Sequence, residues 1–143
     1  MVSVTDVRAA VLGRDRRDAV RAGVVAVGLF VVALASSSVT HLLSVSAGGP
    51  FQYLLVVVGI GFAVVHGFRN AGLLVCWALV SAPVAGTLAF YTWLTTRQDA
   101  APVALPLSFY GHGAVAFWIP TVLVCGTFAF ALGVLTRRAA SLR

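Results

Sequence analysis

The stretch AGLLVCWALVSAPVAGTLAFYTWL, which runs from Ala71 to Leu94, decides the fold of this chain. It contains no Asp, Glu, Lys, Arg or His. As an α-helix with a rise of about 1.5 Å per residue it would be about 36 Å long, which exceeds the roughly 30 Å hydrocarbon core of a bilayer. A helix that is apolar on every side needs an apolar environment, and lipid supplies one. The stretch therefore predicts a membrane-spanning helix.

Three further apolar stretches, 22–43, 51–68 and 112–135, predict three more spans beside 71–94. The composition agrees, because 60% of the residues are hydrophobic and only 10% are charged, whereas a soluble domain has about 25% charged residues. We expect a basic cytoplasmic or interfacial segment, 1–21, followed by a transmembrane domain, 22–143. The predicted fold is an all-α integral membrane protein with four transmembrane helices in an up-down bundle.

The basic residues predict the orientation of this bundle. All ten basic residues are Arg, and with the amino terminus inside all of them except Arg97 would lie on the cytoplasmic side. Cytoplasmic loops of membrane proteins carry an excess of basic residues, so we expect both termini in the cytoplasm and the protein in the cell membrane. We expect the lipid bilayer as a partner and no nucleic acid, because the Arg residues flank apolar spans where anionic lipid explains them.

The first span has an alternative interpretation as a secretory signal. A basic lead, an apolar run and the triplet Ala33 to Ala35 resemble a signal with an A-x-A cleavage site. The pair Arg16 and Arg17 resembles a twin-arginine signal, although Asp18 follows it. The hydroxyl groups after Ala35 can bond to carbonyls one turn back, so the helix can continue through them. We therefore retain the first span, and its cleavage stays an open alternative.

Small residues recur along the later spans and predict close helix packing. The repeats are Ala78, Ala82 and Gly86 in the third span and Gly126, Ala129 and Gly133 in the fourth. Gly59 and Gly61 in the second span allow a similar approach of another backbone. Small residues let helices pack closely where the hydrophobic effect gives little preference for protein over lipid. These faces serve either packing within the bundle or contact with a partner chain.

Pro83 and Pro120 lie inside the third and fourth spans and predict kinks. Because proline has no N–H group, the Leu79 and Ala116 carbonyls lose their helical donors. In a membrane such a carbonyl must find another partner, which makes the region beside Pro83 a candidate substrate site.

The four predicted spans contain no Asp, Glu, Lys or Arg. Proton relays and ion-coupled transporters usually depend on such residues within the membrane, so a coupled carrier is disfavoured. An enzyme is also disfavoured, because no nucleophile, base and orienting carboxylate can be assembled from the sequence. We expect no cofactor.

The two cysteines, Cys76 and Cys125, are predicted to be unpaired packing residues. The helical rise places them about 9 Å and about 18 Å into the membrane from the same side. The difference of about 9 Å exceeds the limit of about 7 Å between the Cα atoms of a disulfide. A thiol oxidoreductase is therefore disfavoured as well.

His41 and His112 fall at the same face of the predicted bundle, at the end of the first span and the start of the fourth. The first and last helices are neighbours in an up-down bundle, so these imidazoles could bind a haem iron or another metal. Histidines at the membrane surface also serve simply as polar end residues, and no complete ligand set is visible.

Three functional hypotheses remain. The favoured one is a non-enzymatic subunit or accessory protein that associates through its small-residue faces with itself or with another membrane protein. The first alternative is a small channel or uncoupled carrier whose pathway passes Pro83 and the serine-rich end of the first span. The second alternative is haem or metal binding at the outer face through His41 and His112.

Overall fold

The computed structural model describes residues 11, 16–43, 48–69, 72–97 and 113–142. In these ranges the chain is helical, with no strand. The helices are α1 (Arg16–Leu42), α2 (Gly48–Phe68), α3 (Leu73–Arg97) and α4 (Gly113–Ala140). All four are long and apolar enough to cross a membrane, which confirms the predicted all-α class and the number of candidate spans. Most of the predicted interfacial segment lies outside the described residues.

Each helix extends beyond its predicted apolar span at one end, and the first and last extend furthest. α1 begins at Arg16, before the predicted start at residue 22, and α4 reaches Ala140, beyond residue 135. Asp18 lies in the first turn of α1, where the helix dipole favours negative charge, and its carboxylate is 3.6 Å from the Arg21 guanidinium. The Arg residues in the last turn of α4 are favoured by the opposite end of the dipole. Charges that end an apolar span thus also stabilise the helix that continues past it.

Contacts between the helices show that consecutive helices run antiparallel. Gly59 lies beside Leu79, and Ala63, further along α2, lies beside Cys76, which is earlier in α3. The start of α1, the end of α2, the start of α3 and the end of α4 therefore share one end of the bundle. We call this the basic end, because it carries Arg17, Arg21, Arg69, Arg137 and Arg138. The opposite end, where α1 and α3 finish, is the loop end.

The helix predicted to organise the chain, α3, is the most buried of the four. Its apolar span is 44% buried inside the protein, whereas the other spans are 22–28% buried. α3 packs against all three other helices, and Leu79 and Val80 on it are almost fully buried. The opening stretch of sequence is thus the centre of the structure.

In the described residues α1 and α4 do not contact each other, so the expected adjacency of first and last helices is wrong there. α2 and α3 instead pack across the middle, and α1 and α4 lie on opposite sides of this pair. Gly59 permits the central contact, since a Cβ atom at this position would lie 2.6 Å from the Leu79 carbonyl oxygen. The close α2–α3 approach gives the bundle a diamond-shaped cross-section.

Large apolar side chains cover the outside of the bundle. Val24, Val124 and Phe128 are each 68% exposed, and similar residues lie along all four helices. Soluble proteins rarely expose contiguous apolar surface of this extent. Together with the four candidate spans, this surface suggests a membrane protein.

Candidate functional site

A hydrogen-bonded pair, Ser37 and Gln52, joins α1 to α2 towards the loop end. Ser37 Oγ donates to the Ala33 carbonyl at 2.8 Å, the bond expected of a serine within a membrane helix. The same oxygen accepts a hydrogen bond from Gln52 Nε2 at 3.2 Å. Ser37 is only 1% exposed, so the hydroxyl side of this pair lies inside the protein, whereas Gln52 is half-buried. An amide in an apolar environment needs such a partner, which explains why Gln52 faces α1.

The other hydroxyl groups near Ser37 bond within their own helix. Ser36, Ser38 and Thr40 donate to the carbonyls of Ala33, Leu34 and Ser36 at 2.9 Å each. These bonds keep α1 continuous through the serine-rich stretch, as predicted.

A cleft of about 80 Å³ lies next to this polar pair, between α2, α3 and α4. Its walls are formed by Gln52, Tyr53, Val56, Pro83, Val84, Thr87, Leu88 and Trp118. Thr87 of α3 is 6% exposed, and its hydroxyl-bearing side chain lines the same cleft as Gln52. The structure thus brings neutral polar groups from two helices to one site beside Pro83.

The cleft adjoins a wider apolar groove between α3 and α4. The groove has a volume of about 230 Å³ and shares Val84, Leu88 and Trp118 with the cleft. The rest of its lining comes from Ser81 and Ala85 of α3 and from Ile119, Val122 and Leu123 of α4. A molecule in the cleft would therefore meet polar groups on one side and an apolar surface on the other.

Pro83 lines the cleft and is almost fully buried. The Leu79 carbonyl, which loses its helical donor to Pro83, faces α2 at Gly59. A Cβ atom at residue 59 would point at this oxygen, and in glycine a Cα–H bond takes that direction. Such a Cα–H group forms a weak hydrogen bond to a carbonyl, which is common where helices cross. The backbone of α2 is thus the partner of the freed carbonyl. Pro120 is exposed on α4 and lies at neither the cleft nor the groove.

The small residues predicted to pack are mostly buried between helices of this chain. Ala82, Gly86, Gly126, Ala129 and Gly133 are all buried. Gly86 faces the Phe30 carbonyl and lies against Ala33 of α1, so a Cβ atom there would be 3.1 Å from the Ala33 Cβ atom. A Cβ atom at Gly126 would lie 2.5 Å from the Trp77 ring. These faces serve packing within the bundle.

Ala78 is exposed and does not belong to this packing face. A step of four residues rotates about 40° beyond a full turn, so two steps place Ala78 about 80° away from Gly86. Gly61 is likewise exposed and has nothing within 4 Å of a Cβ atom built on it. Conversely, Gly67 packs against the Phe130 backbone, with a Cβ atom 3.1 Å from the Phe130 Cα atom.

Both cysteines are free, as predicted, but the depth comparison behind that prediction is wrong. Trp77 packs against Gly126, so Cys76 and Cys125 flank the same contact and lie at similar depths. The comparison failed because α4 continues past α3 at the basic end. The two thiols stay apart because the Cys76 side chain points towards α2, where its Sγ atom donates to the Ala63 carbonyl at 3.3 Å.

Of the two histidines proposed to bind haem or metal, only His41 is among the described residues; His112 lies outside them. The His41 ring is exposed and meets the Phe90 ring edge-on, with centroids 5.9 Å apart. The described residues contain no group of three or more potential metal ligands. Metal binding by these two residues stays a prediction. It assumed that α1 and α4 are neighbours, and in the described residues these helices do not contact each other.

No known protein family, curated protein or solved structure matches this chain. Its function therefore has to be inferred from the cleft and the helix surfaces.

Proposed function

We propose that the four helices cross the cell membrane with both termini in the cytoplasm. The arrangement of charge supports this orientation, because Arg residues from α1, α2 and α4 gather at the basic end. Basic residues favour the cytoplasmic side of a membrane. The buried glycine contacts and the apolar exterior are what a lipid-embedded bundle needs.

Cysteine labelling tests this orientation in a Cys76→Ala/Cys125→Ala background. A cysteine at Ser141, beyond α4, should react with an impermeant maleimide only after the cells are permeabilised. A cysteine at Arg97, the last residue of α3, should react in intact cells. The reverse pattern would contradict the proposed orientation. Reaction of both cysteines in intact cells would contradict the placement of residues 97 and 141 on opposite sides of the membrane.

We further propose that the protein is an uncoupled carrier for a small uncharged polar solute. The cleft beside Pro83 is the observation that supports this function. Its lining residues Gln52, Thr87, Tyr53 and Trp118 carry an amide, two hydroxyls and an indole N–H group, which form hydrogen bonds without carrying charge. Its lining contains no Asp, Glu, Lys, Arg or His among the described residues. A charged solute would lose its hydration there without gaining an opposite charge.

The packing at the basic end favours a carrier over an open channel. There Gly67 packs on Phe130, and Gly133 packs on the end of α2, with a Cβ atom 2.5 Å from the Phe68 nitrogen. In the described residues these contacts close the bundle between the cleft and the basic end. Transport would therefore require the basic end to open while the cleft closes, as in alternating access.

Stopped-flow light scattering of proteoliposomes tests the proposal with glycerol and urea as probes. We expect faster entry of at least one probe than into protein-free liposomes. Gln52→Leu and Thr87→Val should each reduce this protein-dependent rate by about fivefold. This is the change expected when one hydrogen bond of about 1 kcal/mol to the solute is lost. Thr121→Val is the matched control, because Thr121 bonds to the Phe117 carbonyl and lies outside the cleft lining. A wild-type rate equal to that of empty liposomes would contradict the carrier proposal.

A second function, a membrane subunit that associates with another copy of itself, is favoured by the exposed face of α1. Gly23 and Gly28 have nothing within 4 Å of a built Cβ atom, and Val24, Val27 and Val31 lie exposed beside them. Glycine and β-branched residues form a shallow surface that another helix can approach closely. The small-residue faces of α3 and α4, on which this hypothesis first rested, are used inside the chain.

Native mass spectrometry in a mild detergent tests this association. We expect a dimer that Gly28→Leu converts to monomer, because a large side chain would separate the two helices. Gly61→Leu is the matched control, since Gly61 is equally exposed on α2. A wild-type monomer, or a dimer that survives Gly28→Leu, would contradict association through α1.

A further inference from the structure

The basic end contains a group of Arg residues that no carboxylate neutralises among the described residues. Asp18 is the single acidic residue in the described ranges, and it pairs with Arg21 on its own helix. In those ranges, the side chains of Arg69, Arg137 and Arg138 make no ion pair. Asp18 belongs to α1, which does not contact α4 in the described residues. Within the described ranges, the end of α2 and the end of α4 therefore carry positive charge without a paired carboxylate.

Helix packing brings Arg69 and Arg137 together from different helices. Gly133 lies against the backbone of Phe68, the last residue of α2, and Arg69 follows it directly. Arg137 lies one turn beyond Gly133 on the same side of α4, a spacing of about 5–6 Å between side-chain origins. Arg137 is half-buried whereas Arg138 is exposed, which fits a position of Arg137 against the end of α2. Both guanidinium groups can thus reach one ligand.

We propose that Arg69 and Arg137 bind the phosphate of an anionic phospholipid at the junction of α2 and α4. Guanidinium groups form paired hydrogen bonds with phosphate oxygens, and two of them from two helices can hold one phosphodiester. α2 has 21 residues, and at about 1.5 Å per residue this length places its end at the boundary of the hydrocarbon core. That boundary is where lipid phosphates lie.

The surface next to this pair selects a lipid over free phosphate. Phe68, which directly precedes Arg69, and Val65, one turn before it, are 42% and 52% exposed. Acyl chains attached to a bound phosphate would cover these side chains, whereas inorganic phosphate would leave them bare. The site thus combines a cationic phosphate clamp with an apolar surface for the chains.

The lipid site rests on the proposed membrane insertion but not on the carrier function, because the cleft lies towards the opposite end. Native mass spectrometry of protein released from nanodiscs containing equal phosphatidylglycerol and phosphatidylcholine tests it. We expect wild-type protein to retain phosphatidylglycerol at least tenfold over phosphatidylcholine. Arg69→Gln/Arg137→Gln should abolish that preference, and Arg69→Lys/Arg137→Lys should retain part of it. Arg97→Gln, at the loop end, is the control that should leave it unchanged.

The same experiment separates the failure of the site from the failure of insertion. Equal retention of both lipids by wild type, or an unchanged preference in the Gln variant, would overturn the lipid site while leaving insertion intact. Protein that does not enter nanodiscs at all would contradict membrane insertion. Displacement of phosphatidylglycerol by an equal concentration of inorganic phosphate would overturn the lipid as ligand and identify an anion site. Circular dichroism confirms that each variant keeps its helices.

Discussion

The two halves of the bundle are held together by different means. Towards the basic end, helices meet at glycines: a Cβ atom at Gly126 or Gly133 would collide with a neighbouring helix, and one at Gly67 would make a tight contact. Towards the loop end, side chains fill the space between helices, with Ser37 bonded to Gln52 and a cleft left at Pro83. The first half is closed by backbone contact, whereas the second contains polar groups and space. In the described residues, the cleft beside Pro83 is therefore the space between helices that a ligand can enter without displacing backbone, although Gly86 on the same helix also packs closely on α1.

The two halves also contain similar hydrogen-bonded pairs in different surroundings. In each pair a hydroxyl donates to a carbonyl of its own helix and accepts from a side chain of another helix. Ser37 accepts from Gln52 and is buried, whereas Thr127 accepts from Trp77 Nε1 at 3.1 Å and is exposed. The surroundings of a pair, more than its geometry, should decide its contribution to stability.

The largest effect on stability is expected from Gly133→Leu. Its side chain would have to occupy space held by the α2 backbone, since a Cβ atom already lies 2.6 Å from the Val64 carbonyl oxygen. Backbone cannot move aside as a flexible side chain can, so we expect a loss of about 3 kcal/mol or more in the free energy of unfolding. Unfolding in sodium dodecyl sulfate, followed by circular dichroism, measures the change.

Gly61→Leu is the matched control for Gly133→Leu, because both replace a helical glycine and Gly61 is open to the surroundings. It should change the free energy of unfolding by less than about 0.5 kcal/mol. Equal losses in the two variants would show that glycine packing is not what holds the basic end together.

A smaller effect is expected when the buried pair at the loop end is removed. Gln52→Leu and Ser37→Ala each delete one side of the bond between α1 and α2. A double-mutant cycle should give a coupling of about 1 kcal/mol, within the range found for hydrogen bonds between membrane helices. Additive losses in the double variant would mean that the bond adds nothing to stability.

The sequence predicted the number of helices, their approximate positions and the central place of α3, because these depend on long apolar stretches bounded by charge. Five of the six small residues predicted to pack in α3 and α4 are buried. Ala78 is exposed, because steps of four residues drift around the helix. Relative helix depth was mispredicted at Cys76 and Cys125, since no local feature shows how far α4 extends past α3.

The cleft was only partly predictable. Pro83 and the serine-rich end of α1 were recognised as polar or irregular features of apolar spans, and both lie at or beside the cleft. Gln52 and Thr87 were not singled out, although a Gln within an apolar span is a signal for a bond between helices. The volume of the cleft depends on how α2, α3 and α4 pack, which a single sequence does not encode in any local pattern.

The smallest effect is expected for the exposed pair, Trp77 and Thr127. Thr127→Val keeps the shape of the side chain and removes the acceptor of the Trp77 N–H group. Trp77→Phe removes the donor and keeps an aromatic ring against Gly126. Trp77 lies one turn after the start of α3, so its indole N–H group can turn towards headgroups or water at the basic end when Thr127 is replaced. The coupling should therefore be about 0.5 kcal/mol or less.

The same unfolding assay compares the two couplings under identical conditions. If the exposed pair couples as strongly as the buried one, burial is not what distinguishes the halves, and the polar pair beside the cleft has no special role in holding α1 to α2. If the buried coupling is larger, as we expect, the loop end is stabilised by a bond that a polar solute in the adjacent cleft could compete for. That competition would couple solute binding to the position of α1, which is a way for the carrier proposed here to change shape.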